Sequence, residues 1–384
     1  MKQLRMFSNK NQLIQSELAV ISSIYPPDSG GPATFTASFS SFLREKGIRT
    51  RVLSYCDGNS KRLKSPGETI RLISRNINPV LRLLFMVFEI YKIAARKIPI
   101  ISNGCFIELA LSTFIIPINF TVKIPGDIVW ERASSAGLVS CSVHEFQSRK
   151  LPFKYKILRW LFTLSLKRAS LVIVPAPYLV ELVSAWGIEK NKVILIYNGV
   201  DIDTFKPLGL PKKYDVISVS RLVPVKNIEQ TIMCCARLGL KLLVVGDGPL
   251  LVELKNLAAK LGSDVTFFGS ADQTQLPVLY NECRIMVLNS SIEATSYSLL
   301  EARACGLPSI ANTATGATEI ISNEIDGILC GSSTGFSLEP ALKLLSENHD
   351  IAANYGLSAR RDAVQRFSRK SIFEQIFLLS TSDI

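Results

Sequence analysis

Two pairs of charged residues in the second half of the sequence are placed to do chemistry. Glu293 and Glu301 stand eight residues apart, after the apolar run Ile285–Leu288. The segment between them leads into a helical pattern that stops at Ala304-Cys305-Gly306. A helix starting near Ser296 would offer unpaired backbone N–H groups to a phosphate. Glu293 would then lie in the loop before the helix and Glu301 one to two turns into it. Carboxylates so placed accept hydrogen bonds from sugar and ribose hydroxyls. The plainer alternative is that Glu293 balances the helix dipole and Glu301 lies on a solvated face. Arg221 closes another apolar run, and Lys226 follows five residues later. Two cations at the C-terminal edge of a strand suit a diphosphate, Arg as a bidentate donor and Lys as a point charge.

Glycine turns stand near both pairs. Gly246-Asp247-Gly248-Pro249 ends an apolar run and would let a nucleoside come close to the backbone, though its chemistry also fits a simple turn. Ser29-Gly30-Gly31-Pro32 follows the first apolar run and opens a helical pattern, as an anion loop or a turn closed by Pro. It lacks the G-x-G-x-x-G spacing, so nicotinamide binding gains no support. Asp127, in Pro125-Gly126-Asp127, is a candidate to orient or deprotonate a hydroxyl, or a turn residue. His144, beside Glu145, is the weaker candidate for the same work.

Alternating strands and helices must position these residues. Strands are predicted at Leu18–Tyr25, Arg49–Tyr55, Phe120–Ile124, Leu171–Val174, Val193–Tyr197, Asp215–Ser220, Lys241–Val245, Val265–Phe268, Ile285–Leu288 and Ser309–Ala311, with a helix at Thr34–Glu45. Strands separated by helical stretches give βαβ units and parallel sheets. The run from Ile115 to Ile118 reads as buried strand and loop. Asp203–Tyr214, with two Pro, one Gly and adjacent Lys, is the natural hinge, and the rhythm restarts after it. The chain therefore divides into 1–200, a linker at 201–214, a second unit at 215–365 and a tail at 366–384.

The 384 residues carry a net charge of +12, unevenly spread. Residues 1–190 hold 26 basic and 12 acidic residues, and the remainder 18 basic and 20 acidic. With 47% hydrophobic residues, wholesale disorder is excluded. Eight cysteines without C-x2-C spacing and only two histidines argue against zinc or a disulfide scaffold, so no metal is expected. The basic first sixteen residues lack an apolar run, and no apolar stretch is long enough to span a bilayer. A cytoplasmic protein is expected.

Taken together, the second half resembles the retaining glycosyltransferases of family 4. The matching stretches are YNGVDIDTF (197–205), VSRLVPVKNIEQTI (219–232), LLVVGDGPL (242–250), VTFFGS (265–270) and EATSYSLLEARACGLPSIANTATGATEII (293–321). Looser matches are SGGPATFTASFSSFLREKGIRTRVLSY (29–55) and KIPGDIVWERA (123–133), and FSRKSIFEQIFLL (367–379) resembles the final helix of the family. The resemblance implies the GT-B fold, an α/β architecture with two Rossmann-like domains facing a cleft. It implies a UDP- or GDP-type nucleotide-sugar donor, a glycan or lipid-linked acceptor, retention at the anomeric carbon, no metal cofactor and a place in cell-surface polysaccharide synthesis. On this reading Arg221 and Lys226 would neutralise the diphosphate and Glu301 would hold the ribose. Glu293 would hold the transferred sugar, with backbone of Ser298 and Leu299 at the phosphates. Gly246 and Phe268 would lie at the nucleoside, and Gly30 and Gly31 would approach from the first domain. The chain departs from the family in Ala294-Thr295-Ser296-Tyr297, where many members have Gly and a bulky aromatic, and in Asp127, where many have His.

The excess positive charge gathers in two places. Arg149–Arg168 carries seven cations and no acid among Phe153, Trp160 and Phe162, and Lys61–Lys97 carries nine cations around the apolar Leu81–Tyr91. Both read as surfaces for an anionic membrane or as core helices with a solvated stripe. Nucleic acid is not expected, since no aromatic-interleaved basic motif is present. A non-catalytic membrane-associated assembly protein and a nucleotide-sugar epimerase of the same fold are the alternatives.

Overall fold

The computed structural model describes residues 17–381 apart from 29, 140, 142, 292, 294, 314, 315 and 332–336. The basic leader, Ser29 of the glycine loop and Ala294 of the family departure lie outside the described residues. Two parallel sheets organise the rest. The first runs in the order β3-β4-β2-β1-β5-β6-β7-β8, from β1 (Glu17–Ser22), β2 (Arg49–Cys56), β3 (Lys61–Ser65), β4 (Glu68–Ser74), β5 (Ile100–Asn103), β6 (Phe120–Lys123), β7 (Leu171–Val174) and β8 (Val193–Leu195). The second runs β11-β10-β9-β12-β13-β14, from β9 (Tyr214–Val219), β10 (Leu242–Val245), β11 (Val265–Gly269), β12 (Cys283–Leu288), β13 (Ser309–Asn312) and β14 (Gly327–Cys330). Each sheet starts in its middle and winds outward both ways, so each has a switch point where a crevice opens at the strand ends.

The strands form where apolar residues run without alternation, because helices cover both sheet faces. In β1, Leu18 to Ser22 are all buried, and Val20 sits between Val52 and Ile101 on its neighbours. Four strands escaped the sequence pattern. β3, KRLKS, is exposed throughout and pairs antiparallel with β4 as an edge hairpin. Its charges hide its extended nature and also protect the edge. β4, β5 and β14 are the others, and β5 and β14 have only four residues each. The Ile115–Ile118 expectation holds only for the loop: there is no strand here, and Ile115 is exposed rather than buried.

The units are joined at both ends. The last helix, Arg369–Thr381, returns to the Gly31–Glu45 helix, where the ring of Phe373 stands edge-on to Phe35, Phe39 and Phe42 at 5.1–5.7 Å. Arg369 pairs with Asp201 and donates to Ser38 Oγ at 3.1 Å. A Cβ at Gly199 would fall 2.6 Å from Arg369 Cα, so only glycine permits this crossing.

Candidate active site

A cavity of about 400 Å3 opens between the two units, at the C-terminal ends of β5 and β6. On the second unit's wall, Lys226 and Glu293 form an ion pair, both partly buried. Their loops are sewn together: Ser291 N donates to Val225 O at 2.8 Å, and Asn227 Nδ2 to Asn289 O at 3.0 Å. Glu293, Thr295 and Tyr297 all line the cavity. Gly31 lines it from the first unit, where a Cβ would lie 3.3 Å from the Tyr297 ring, so the missing side chain lets the units approach. Gly30, at φ 140°, holds a conformation that L side chains rarely adopt and turns the chain into the Gly31–Glu45 helix.

The structure brings together Glu293, Lys226, Gly31 and Asp127, and leaves several other candidates apart. Arg221 is exposed at the end of β9, without an ion pair among the described residues. Phe268 is exposed at the end of β11. Gly246 has a packing explanation, since a Cβ there would meet Ser220 O at 1.9 Å. Ser298 and Leu299 do open a helix, Tyr297–Ala304, and Ser296 is its N-cap. Leu299 N reaches Ser296 Oγ at a long 3.5 Å, and Ser296 Oγ also contacts Ser298 Oγ at 3.1 Å. Glu301 faces away from the main cavity. It is buried, accepting from Tyr280 Oη at 3.1 Å and Gln273 Nε2 at 3.4 Å. Burial pushes its carboxyl up to about 7, against those hydrogen bonds. The void beside it, about 10 Å3, has room for about one water.

The acceptor role anticipated for Asp127 is corrected to a structural one. Its Oδ1 caps the Ile128–Ser135 helix, accepting from Val129 N at 2.9 Å and Trp130 N at 3.2 Å. Its Oδ2 accepts from Gln147 Nε2 at 3.0 Å and Arg159 Nη2 at 2.6 Å. The side chain is fully buried with both oxygens engaged, which leaves it no free site for a substrate proton. Arg159 therefore points inward and does not belong to the solvated basic stripe of its helix. His144 is exposed and packs on Tyr178, 5.9 Å between ring centroids.

Three cavity residues escaped sequence reading. Lys123, at the end of β6, is buried and donates to Asn198 Oδ1 at 2.8 Å, 5.1 Å from the Phe35 ring centroid. Burial lowers its ammonium to about 8, and no carboxylate pairs with it among the described residues. Asn198 Nδ2 in turn donates to Thr295 O at 2.9 Å, linking the units at the cavity floor. Asn103, at the end of β5, keeps its Oδ1 buried without a hydrogen-bond partner. Glu131, one turn beyond the Asp127 cap, lines the cavity and is open to it. The available signal was position: polar residues at the carboxyl ends of parallel strands face the crevice. Among the described residues no group of His, Cys, Asp and Glu is arranged to hold a metal.

Comparison with known proteins now adds the lineage. The family described as Glycosyltransferase Family 4 matches residues 29–204, and Glycosyl transferases group 1 matches 201–362. The chain belongs to the family 4 glycosyltransferases. The family match leaves uncovered only the ends of the chain, including the returning helix. Among curated relatives, N-acetyl-alpha-D-glucosaminyl L-malate synthase of Bacillus anthracis is 29% identical over 207 residues, 49% of this chain and 53% of that protein. The N,N'-diacetylbacillosaminyl-diphospho-undecaprenol alpha-1,3-N-acetylgalactosaminyltransferase of Campylobacter jejuni is 27% identical over 237 residues, 56% of this chain and 62% of that protein. The chain thus spans about half the length of the curated relatives it matches. Among solved structures, sucrose-phosphate synthase of Thermosynechococcus elongatus aligns with a TM-score of 0.76 at 21% identity, covering 96% of this chain and 99% of that one. HepE of Anabaena, solved with UDP-glucose, aligns at 0.74 and 21% identity over 95% of this chain and 100% of that one. The fold is GT-B, as the family resemblance implied.

Proposed function

We propose that the protein moves a sugar from a UDP- or GDP-type donor to a glycan or lipid-linked acceptor, with retention of configuration, in cell-surface polysaccharide synthesis. The observation that carries this reading is the interdomain cavity with the Lys226–Glu293 pair on its wall. A leaving nucleoside diphosphate needs preorganised positive charge, which Lys226, paired with Glu293 at the cavity, supplies. Glu293 holds the departing sugar. On this reading the acceptor attacks the same face that the diphosphate leaves, which gives retention. Relatives named for a hydroxy-acid acceptor and for a diphospho-undecaprenol acceptor support an acceptor that carries a hydroxyl, lipid-linked or not. The test is nucleoside diphosphate release by the purified chain from UDP-glucose, UDP-N-acetylglucosamine and GDP-mannose. Lys226→Ala and Glu293→Ala lose about 10^2–10^3-fold while remaining folded, in the range of lost transition-state charge stabilisation. Full turnover by both variants overturns the site, and no turnover by the wild-type chain overturns the activity.

The acceptor side of this reading is an anionic bilayer surface. No described helix is long and apolar enough to cross a membrane. The helices Pro79–Ala94 and Phe153–Arg168 flank and pack on Phe106–Ser112. They leave Leu84 and Phe88 of the first, and Phe153 and Trp160 of the second, more than half exposed. Lys92 lies 4.2 Å from the centre of the Phe88 ring and Arg168 lies 5.7 Å from that of Phe114, so cations border the apolar patch. Apolar wedges among cations fit an interface with anionic headgroups. In sedimentation at low salt, vesicles with about one-third phosphatidylglycerol carry the protein down and pure phosphatidylcholine vesicles do not. Equal sedimentation with both removes the electrostatic part of the claim.

A further inference from the structure

The capping role of Asp127 leaves the first unit's wall of the cavity without the proton acceptor that this position was expected to supply. The same helix provides another. Counting from the cap, the fourth residue of Ile128–Ser135 is Glu131, and its side chain lies in the cavity, across from Glu293. Its Oε1 sits over Gly126, 2.6 Å from where a Cβ would stand, so the missing side chain there makes room for the carboxylate. Unlike Asp127 and Glu293, it belongs to no ion pair among the described residues. On the same wall, the buried, unpartnered Oδ1 of Asn103 calls for a donor that a hydroxylated ligand brings.

We propose that Glu131 takes the proton from the acceptor hydroxyl during transfer. The proposal rests on the reading that the chain is a glycosyltransferase. The bond from the anomeric carbon to the diphosphate oxygen breaks, and its electron pair leaves with the nucleoside diphosphate. The acceptor oxygen forms the new bond to that carbon, and its proton passes to a Glu131 carboxylate oxygen and then to solvent. No oxidant or further reactant is needed.

The groups facing Glu131 are Asp127 and Arg132 on its own helix, Tyr178 from the Pro177–Ala185 helix, and Glu293 from the second unit. Although the side chain is open to the cavity, the enclosing walls strip water from it. That desolvation, with the charges of Asp127 and Glu293, pushes its carboxyl up to about 7 against the pull of Arg132. The carboxylate form, which accepts the proton, is therefore lost as pH falls through about 7. A base that titrates near neutrality suits proton transfer.

The test compares wild type, Glu131→Gln and Glu131→Asp as full chains. It uses the donor that the wild type turns over, with water and octyl β-glucoside as acceptors. Nucleoside diphosphate release is followed from pH 5.5 to 9, and UDP and GDP affinities are measured by calorimetry. Glu131→Gln loses about 10^2–10^4-fold in kcat, the usual contribution of a positioned base. It also loses the acid limb of the profile and binds nucleotide within about threefold of wild type. Glu131→Asp retains a reduced rate with an acid limb. A Glu131→Gln chain that melts like wild type and keeps kcat within about threefold, or keeps the limb, overturns the proposal. A wild-type chain that releases nucleotide from none of the donors takes down the transferase reading, and this one with it.

Discussion

Two helices begin at the walls of this cleft, and they treat their carboxylates in opposite ways. Ile128–Ser135 starts at Asp127 and carries Glu131 four residues after the cap. Tyr297–Ala304 starts at Ser296 and carries Glu301 five residues after the cap. One residue turns a helix by about 100°. Glu131 consequently opens into the cavity, while Glu301 turns inward against Tyr280. The caps differ as well. Asp127 fills both oxygens with two backbone N–H groups, Gln147 and Arg159, whereas Ser296 holds Leu299 N only loosely. On the first unit's wall the cap is a buried charged anchor, and the acid that follows it is exposed. On the second unit's wall the cap is light, a single long bond to Leu299 N.

The largest way to break this contrast is at the anchors. Asp127→Ala strands Arg159 beside a buried gap and loosens two N–H groups, so it costs about 3–5 kcal/mol, the usual price of removing one partner of a buried ion pair. Ser296→Ala costs about 1 kcal/mol or less, as for an ordinary cap with a long bond. Urea unfolding of both variants reads the difference, and equal losses would show that the two caps are alike.

A smaller effect sharpens the comparison from the other end. Glu301 is raised to about 7 when folded, well above the ordinary carboxylate value. The folded state then holds the proton more tightly than the unfolded chain, so this group contributes stability at acid pH and loses it as pH rises through about 7. Glu301→Gln, which cannot ionise, melts a few degrees above wild type at pH 8.5 and close to it at pH 4.5. A melting difference that does not change with pH would mean that Glu301 stays ionised throughout.

The sequence was legible where function demands a local signature. The loop residues Lys226 and Glu293 and the glycines 30 and 31 announce themselves through turns at strand ends; the structure puts Glu293 and Gly31 in one cavity lining and pairs Lys226 with Glu293 beside it. The orientation of a helical side chain is less legible, because it depends on where the helix is capped and what packs behind it. Asp127 was singled out for its chemistry, yet its partners Gln147 and Arg159 lie 20 and 32 residues away. Glu131 lay unremarked in the quoted KIPGDIVWERA stretch. Lys123 ended a predicted strand as an ordinary cation, and only burial without a carboxylate partner sets it apart. The edge hairpin β3–β4 was read as a basic stretch because its five exposed residues carry no apolar alternation.

The returning helix has a consequence for how the chain is made. Phe35, Phe39 and Phe42 leave the ribosome about 330 residues before Phe373, which covers them. At roughly 5–20 residues per second, that patch stays uncovered for tens of seconds during synthesis. Completion of the first unit is thus a late event in biogenesis, and it requires the second unit to have been translated already.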